Sequence, residues 1–331
     1  MAIIKKGKFE HQMPTQNPFV ICMHHLDYFP EGDENSNPKE IKKENQGFNQ
    51  EGDWRMYYGK NVPGFPAHPH RGFETVTVVM EGIVDHTDGM GSRGRYGNGD
   101  VQWMTAGSGL QHCEMFPLVH DDKPNTLELF QVWLSLDSAH RMVEPDYKML
   151  WSEDIPVITL GDEHKVKITL VAGELYGKKA VSPTKDSWAS NKDSNLSIQI
   201  IEMDAGASYT FPKTTKTMNR SIYHYHGSTA LVENEELSRK EYMYLEADKD
   251  VTIKNPSNDK IKIFLLESEP INEPIIAYGP FVMTTKEEIK KAYDDYQRTQ
   301  FGGWPFNEQE VAHDKNMGRF AEYPDGRVER P

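Results

Sequence analysis

The sequence predicts an all-β protein built of two β-barrel-like halves in tandem, with one short helix near the C-terminus. Three observations predict it. Short β-branched runs recur along the chain, turn residues separate them, and 331 residues suffice for two domains of roughly 100–150 residues each.

Residues 31–53 are rich in Asn, Glu, Gly and Lys, lack helical or strand periodicity, and read as a surface loop or insertion. From Thr75 to Met80 the run Thr-Val-Thr-Val-Val-Met ends at Glu81-Gly82, as expected of a buried strand closed by a turn. Further strand-like runs follow at Asp100–Met104, Leu127–Leu136, Val166–Ala172, Leu196–Met203, Ser208–Phe211, Ser221–Tyr225, Thr229–Val232, Asp250–Lys254 and Ile261–Glu267. Such spacing indicates a sandwich or barrel and disfavours alternating βαβ units. His140–Pro156, charged and carrying Pro145 and Pro156, is the expected linker. The helix is expected after Thr285, where Thr285 and Glu288 form a capping box and Ile289, Ala292, Tyr293 and Tyr296 share one face. The stretch from Phe301 onward is expected to be an extended tail.

Hydrophobic residues make up 37% of the chain and the mean hydropathy is -0.70, but 15 Tyr, 14 Phe and 6 Trp supply large apolar surfaces for two cores. Acidic residues outnumber basic ones 51 to 37, a net charge of -14 that opposes binding to phosphate backbones or anionic membranes. Nucleic acid is therefore not an expected partner. The apolar runs fall far short of the roughly 20 residues a membrane-spanning helix needs, and Met1–Lys8 lacks signal-peptide features. With only Cys22 and Cys113, a reducing compartment and a cytoplasmic location are expected.

His68-Pro69-His70 precedes the first strong strand, and residues two apart in extended backbone point to the same side. Gln111-His112-Cys113-Glu114 repeats this geometry, with His112 and Glu114 on one face and Cys113 on the other. If the two strands are neighbours, three imidazoles and one carboxylate converge on a single divalent ion. Imidazole plus carboxylate without thiolate suits Fe(II), the expected metal, with Mn, Ni, Cu or Zn as alternatives. One carboxylate leaves such an ion electrophilic and receptive to anionic or enolate-like oxygen. Arg71 and Glu74 are expected to line the pocket or to form a structural pair. His86 is read as a turn residue, Cys113 as core, and His24, His25 and Asp27 as structural. His224-Tyr225-His226 also alternates, but no His-x-Glu partner follows it, so no second metal is expected.

At these residues the chain resembles the pirin family of the cupin superfamily. The resemblance rests on the run from His68 to Val76, the run Gly99–Gly109, and His112-Cys113-Glu114-Met115, with Glu273-Pro274-Ile275 and the run Tyr278–Thr285 near the C-terminus. It implies two cupin barrels of the double-stranded β-helix, jelly-roll type, with metal only in the first. It also implies ligands at His68, His70, His112 and Glu114, the set already chosen on spacing. The general cupin pattern fits less closely: Glu74 stands where that pattern has a glutamate ligand, and Thr105-Ala106-Gly107 where Pro-x-Gly is common. Both departures are themselves pirin-like. The expected division is 1–145 for the metal-binding cupin, 146–300 for the metal-free cupin and 301–331 for the tail.

The resemblance implies a metal-dependent dioxygenase of the quercetin 2,3-dioxygenase type. Such an enzyme takes dioxygen and a small aromatic substrate, opening the ring of a flavonol or related enol-bearing compound, with Glu114 as the catalytic carboxylate. Phe65, Phe73 and Trp103 are candidates to wall a flat substrate. The alternative is a non-catalytic, redox-sensing iron protein that binds a regulatory partner protein; a third reading is a cupin isomerase or lyase needing no oxygen.

Overall fold

The computed structural model describes residues 2–49, 51–161 and 165–331. Among them, strands dominate and one α-helix, Lys286–Thr299, is present. No helix is long and apolar enough to cross a membrane. The chain divides into two compact units, one comprising Met23–Glu153 with Glu273–Pro331, the other Met1–Cys22 with Asp154–Asn272.

This division departs from the sequential one expected above. The N-terminal strand Ile3–Lys8 belongs to the later unit because it pairs antiparallel with Glu241–Glu246. The chain from Glu273 onward returns to the earlier unit. There the helix packs Ile289 and Ala292 against Phe281 and Met283, and strand Phe320–Glu322 pairs with Arg93–Gly97. The tail is thus not a free extension. The expected linker is corrected as well: within it, Asp146–Leu150 is an edge strand paired with Val101–Thr105. Charge and prolines marked its ends, while sheet pairing decided its middle.

The earlier unit is two facing sheets. One contains Asp146–Leu150, Val101–Thr105, Phe73–Glu81, Asn125–Ser135 and the Met23–Phe29 portion of strand Phe19–Phe29. The other runs in the order Val328–Glu329, Phe320–Glu322, Arg93–Gly97, Ile83–Asp88, Leu110–Met115, Gly64–His70. Strand Phe73–Glu81 is buried through Val79 because it is central to its sheet, and its β-branched run satisfies both faces. Gly82 then turns the chain at φ 88°, where a Cβ would stand 2.5 Å from the Thr126 carbonyl oxygen.

Strand Gly64–His70 is the edge of its sheet, and edges leave unpaired backbone groups. Here the C-terminal segment covers it. The Ala67 amide donates to the Gln309 carbonyl (2.9 Å), and the Glu310 carboxylate accepts from the Lys60 and Asn61 amides. Trp304, Val311 and Ala312 pack on Val62, Cys113 and Met115. Behind this strap, Arg95 pairs with Asp85 (2.7 Å) and donates to the carbonyls of His313, Asp314 and Met317.

The later unit repeats the plan with a seven-stranded sheet, from Ile3–Lys8 to Val157–Leu160, and a four-stranded one built on Ser208–Phe211, Val251–Lys254, Thr229–Val232 and Glu235–Ser238. Its interior is apolar, with Ile168, Ile201, Ile222, Val251, Ile263 and Leu265 among the buried residues. The helix forms as expected: Thr285 Oγ1 accepts from the Glu288 amide, and Glu288 returns the bond to the Thr285 amide.

Candidate metal centre

Strands Gly64–His70 and Leu110–Met115 are antiparallel neighbours, in a register that sets His68 opposite His112 and His70 opposite Leu110. A register shift between Phe65 and His68 precedes this pairing. Both His-x-His/Glu patterns thereby aim into the barrel, and the ligand-type nitrogens of His68, His70 and His112 gather within 4.8 Å of one another. Among the described residues this is the one group of three or more metal-ligand side chains.

The imidazole tautomers follow from the hydrogen bonds. His68 Nδ1 lies 2.8 Å from the Pro66 carbonyl and His70 Nδ1 3.4 Å from the Pro280 carbonyl. A carbonyl only accepts, so a proton on each Nδ1 satisfies these contacts and leaves each Nε2 a lone pair. Those two Nε2 atoms are 3.1 Å apart. His112 is fully buried, and neither of its nitrogens has a hydrogen-bond partner. Two facing lone pairs beside an orphaned buried imidazole are costly unless a cation lies among them. Backbone carbonyls on the outer nitrogens are the usual support for metal-binding imidazoles. The residues present therefore fit one divalent ion, and three histidines are able to hold it.

Burial keeps the imidazoles neutral, as ligands must be. It pushes His68 down to about 4. His70 and His112 lie well below the usual histidine range through burial and then through their neighbouring imidazoles.

Glu114 lies beside the group rather than in it. Its Oε2 is 3.9 Å from His112 Nε2. Gln131 Nε2 donates to Oε2 (2.7 Å) and Thr77 Oγ1 to Oε1 (3.1 Å), which anchors the carboxylate on strands of the opposite sheet. Burial raises its pKa, opposed by His86, Gln131 and Thr77. The carboxyl is thus suited to accept a proton.

His86 was missed from sequence. Instead of a turn, it lies fully buried on strand Ile83–Asp88, opposite Glu114, with its ring 5.5 Å from that of His112. Gln102 Nε2 donates to its Nδ1 (3.2 Å), it stacks on Tyr147, and Nε2 faces Asp88 Oδ2 at 3.4 Å. The only signal was Val84 two residues before it, too little to fix a register.

Arg71 and Glu74 form no pair with each other. Arg71 binds Asp295 (2.9 Å) and the Ser108 carbonyl, holding the helix. Glu74 faces the opposite side of its strand from Thr77, where it accepts from Trp103 Nε1 and Thr105 Oγ1. Trp103 therefore walls no substrate. Phe73 is fully buried and supports His70 (4.9 Å) and Trp133 (4.3 Å). Phe65, half-buried, is 6.3 Å from the His68 ring. Cys113 points to the opposite face as expected, and burial pushes its thiol up to about 12. His25 and Asp27 both bind the Tyr57 hydroxyl, and His24 binds Glu128. In the later unit both nitrogens of His224 face backbone carbonyls, of Leu237 and His226, while His226 is exposed.

Comparison with known proteins agrees with this architecture. Residues 34–134 match the family described as Pirin, and residues 199–302 match the Pirin C-terminal cupin domain. A pirin-like protein of Solanum lycopersicum is 36% identical over 236 residues, covering 71% of this chain and 75% of that one. Pirin of Homo sapiens is 33% identical over 250 residues, covering 74% and 80%. A crystal structure of quercetin 2,3-dioxygenase from Acinetobacter baumannii superposes with a TM-score of 0.73 at 26% identity, covering 91% of this chain and 98% of that one. With two cupin domains matched in order and this identity over most of its length, the chain belongs to the pirin family of cupins.

Proposed function

We propose that the earlier unit holds one divalent transition-metal ion, Fe(II) in the working protein, through His68, His70 and His112 with Glu114 beside it. We propose further that it is a dioxygenase of the quercetin 2,3-dioxygenase type, opening the ring of a flavonol or related enol-bearing aromatic with dioxygen. The observation that carries the reading is the pair of imidazole Nε2 atoms 3.1 Å apart next to the orphaned His112. The similarity to the quercetin 2,3-dioxygenase of Acinetobacter baumannii supports this choice of activity.

When bound, the ion supplies a Lewis-acidic, redox-capable centre that favours an anionic oxygen donor. The protein's own groups do the rest. Glu114, its pKa raised by burial, takes the proton of the substrate's enol hydroxyl, and Gln131 and Thr77 keep the carboxylate aimed while it does so. Glu114 is buried, which shields a proton it takes from bulk solvent. The two free, buried thiols suit work in the reducing cytoplasm.

The test is incubation of the iron-loaded protein with quercetin, under air and under nitrogen, following flavonol absorbance and carbon monoxide release. Oxygen-dependent loss of absorbance that disappears in Glu114→Ala supports the enzyme. Absence of turnover, together with redox-dependent capture of a partner protein, replaces it with the regulatory reading.

A further inference from the structure

Resting on that reading, we propose that Phe48, Tyr58 and Phe65 form an aromatic face that selects planar, multi-ring substrates at the mouth of the metal site. Tyr58 is 67% exposed and Phe48 38%, a solvent-facing pair of large rings in a chain whose other aromatics are mostly buried. They do not lie apart. Phe48 and Tyr58 are 5.1 Å apart, and each is about 6 Å from Phe65, at 6.1 and 6.0 Å. Phe65 in turn is 6.3 Å from the ring of His68, the partly exposed member of the histidine group. Exposed apolar area thus runs up to the one partly exposed histidine of the group.

The segment presenting these rings is pinned. The Met56 amide donates to the Asn45 carbonyl and the Tyr57 amide to the Gly47 carbonyl, tying the polar insertion to the approach of the ligand strand. The Tyr58 amide donates to the Gly64 carbonyl at that strand's first residue. Beneath them Tyr57 is buried and fixed through Asp27 and His25. The insertion therefore presents Phe48 at a set distance from His68 rather than on a wandering loop. The exposed surfaces of Phe48 and Tyr58 suit an aromatic partner, which can stack on them or meet them edge-on. A substrate with an enol oxygen among the histidines and fused or linked rings extending outward reaches this face; a single-ring chelator does not.

The experiment compares two ligands with the same 3-hydroxy-4-pyranone group: quercetin, which carries the extra rings, and maltol, which lacks them. Binding to zinc-loaded protein under nitrogen is followed by absorbance, for wild type, Phe48→Ala, Tyr58→Ala and the double variant. The double variant is expected to weaken quercetin about tenfold or more and to leave maltol within about twofold. Tyr58→Phe is expected to bind as wild type. In turnover under air the loss is expected in KM, with kcat held. Unchanged quercetin affinity in the double variant overturns the inference, as does equal loss of quercetin and maltol, which marks damage to the metal site. Ring-dependent quercetin binding without oxygen-dependent turnover leaves the aromatic face standing and rejects the dioxygenase reading alone.

Discussion

His68 and His70 present their Nε2 atoms to each other at 3.1 Å, while their Nδ1 atoms are committed to the carbonyls of Pro66 and Pro280. Neither imidazole can relieve the other by donating from Nε2 without giving up its outer bond. A cation resolves the conflict. Single substitutions His68→Ala, His70→Ala and His112→Ala are each expected to reduce metal content from about one ion per chain to a small fraction. Elemental analysis of protein purified without added metal checks this, and retention of a full equivalent in all three variants contradicts it.

Metal removal is expected to destabilise the fold, because the ion binds the arranged histidines and not the unfolded chain. At free metal about a hundredfold above Kd, the stabilisation is roughly 2.7 kcal/mol. Thermal unfolding with and without chelator measures it; coincident curves speak against a site in this unit.

Glu114→Gln keeps the size of the side chain and an acceptor for one neighbour, but cannot take a proton. Metal content is expected to stay near one equivalent while oxygen consumption falls by about 100-fold or more. Loss of metal and activity together instead makes Glu114 chiefly a ligand.

The metal-free protein is expected to lose stability as pH falls. Its histidines are depressed below their usual 6.5, His68 to about 4. Between those values the unfolded chain binds protons that the folded chain refuses, so unfolding becomes easier as acid is added. Stability from these groups is complete above about 6.5 and is lost as pH falls, the His68 part by about 4 and the His70 and His112 parts further down. Denaturant midpoints measured at half-unit pH steps check the direction, against a His68→Ala, His112→Ala double variant in which the slope should flatten.

Arg95 ties the C-terminal strap to the barrel, being buried against Asp85 and the tail carbonyls of His313, Asp314, Lys315 and Met317. Arg95→Ala leaves Asp85 charged, buried and short of its ion pair, at a cost of about 3–5 kcal/mol. Ending the chain at Gly302 removes Gln309, the acceptor of the Ala67 amide next to His68. Hydrogen exchange at Ala67 is expected to accelerate in that truncated chain, and metal to be held more weakly. Unaltered exchange and affinity reduce the strap to a passive covering.

The sequence by itself determined which of the site's side chains share a face. Side chains two apart in a strand share a face whatever the strand is paired with, so His68 with His70 and His112 with Glu114 were legible from spacing alone, as were the central strand at Thr75–Met80 and the Thr285 capping box. These are local relations, fixed within a few residues. What only the tertiary structure decided are matches between distant segments: the register that sets His68 across from His112, the burial of His86 behind it, the return of the chain after Glu273 to cover Gly64–His70, and the placing of Ile3–Lys8 in the later unit. Sheet pairing is made by backbone groups that every residue carries alike. No local pattern of side chains therefore names the partner strand, and the choice falls to packing of the whole chain.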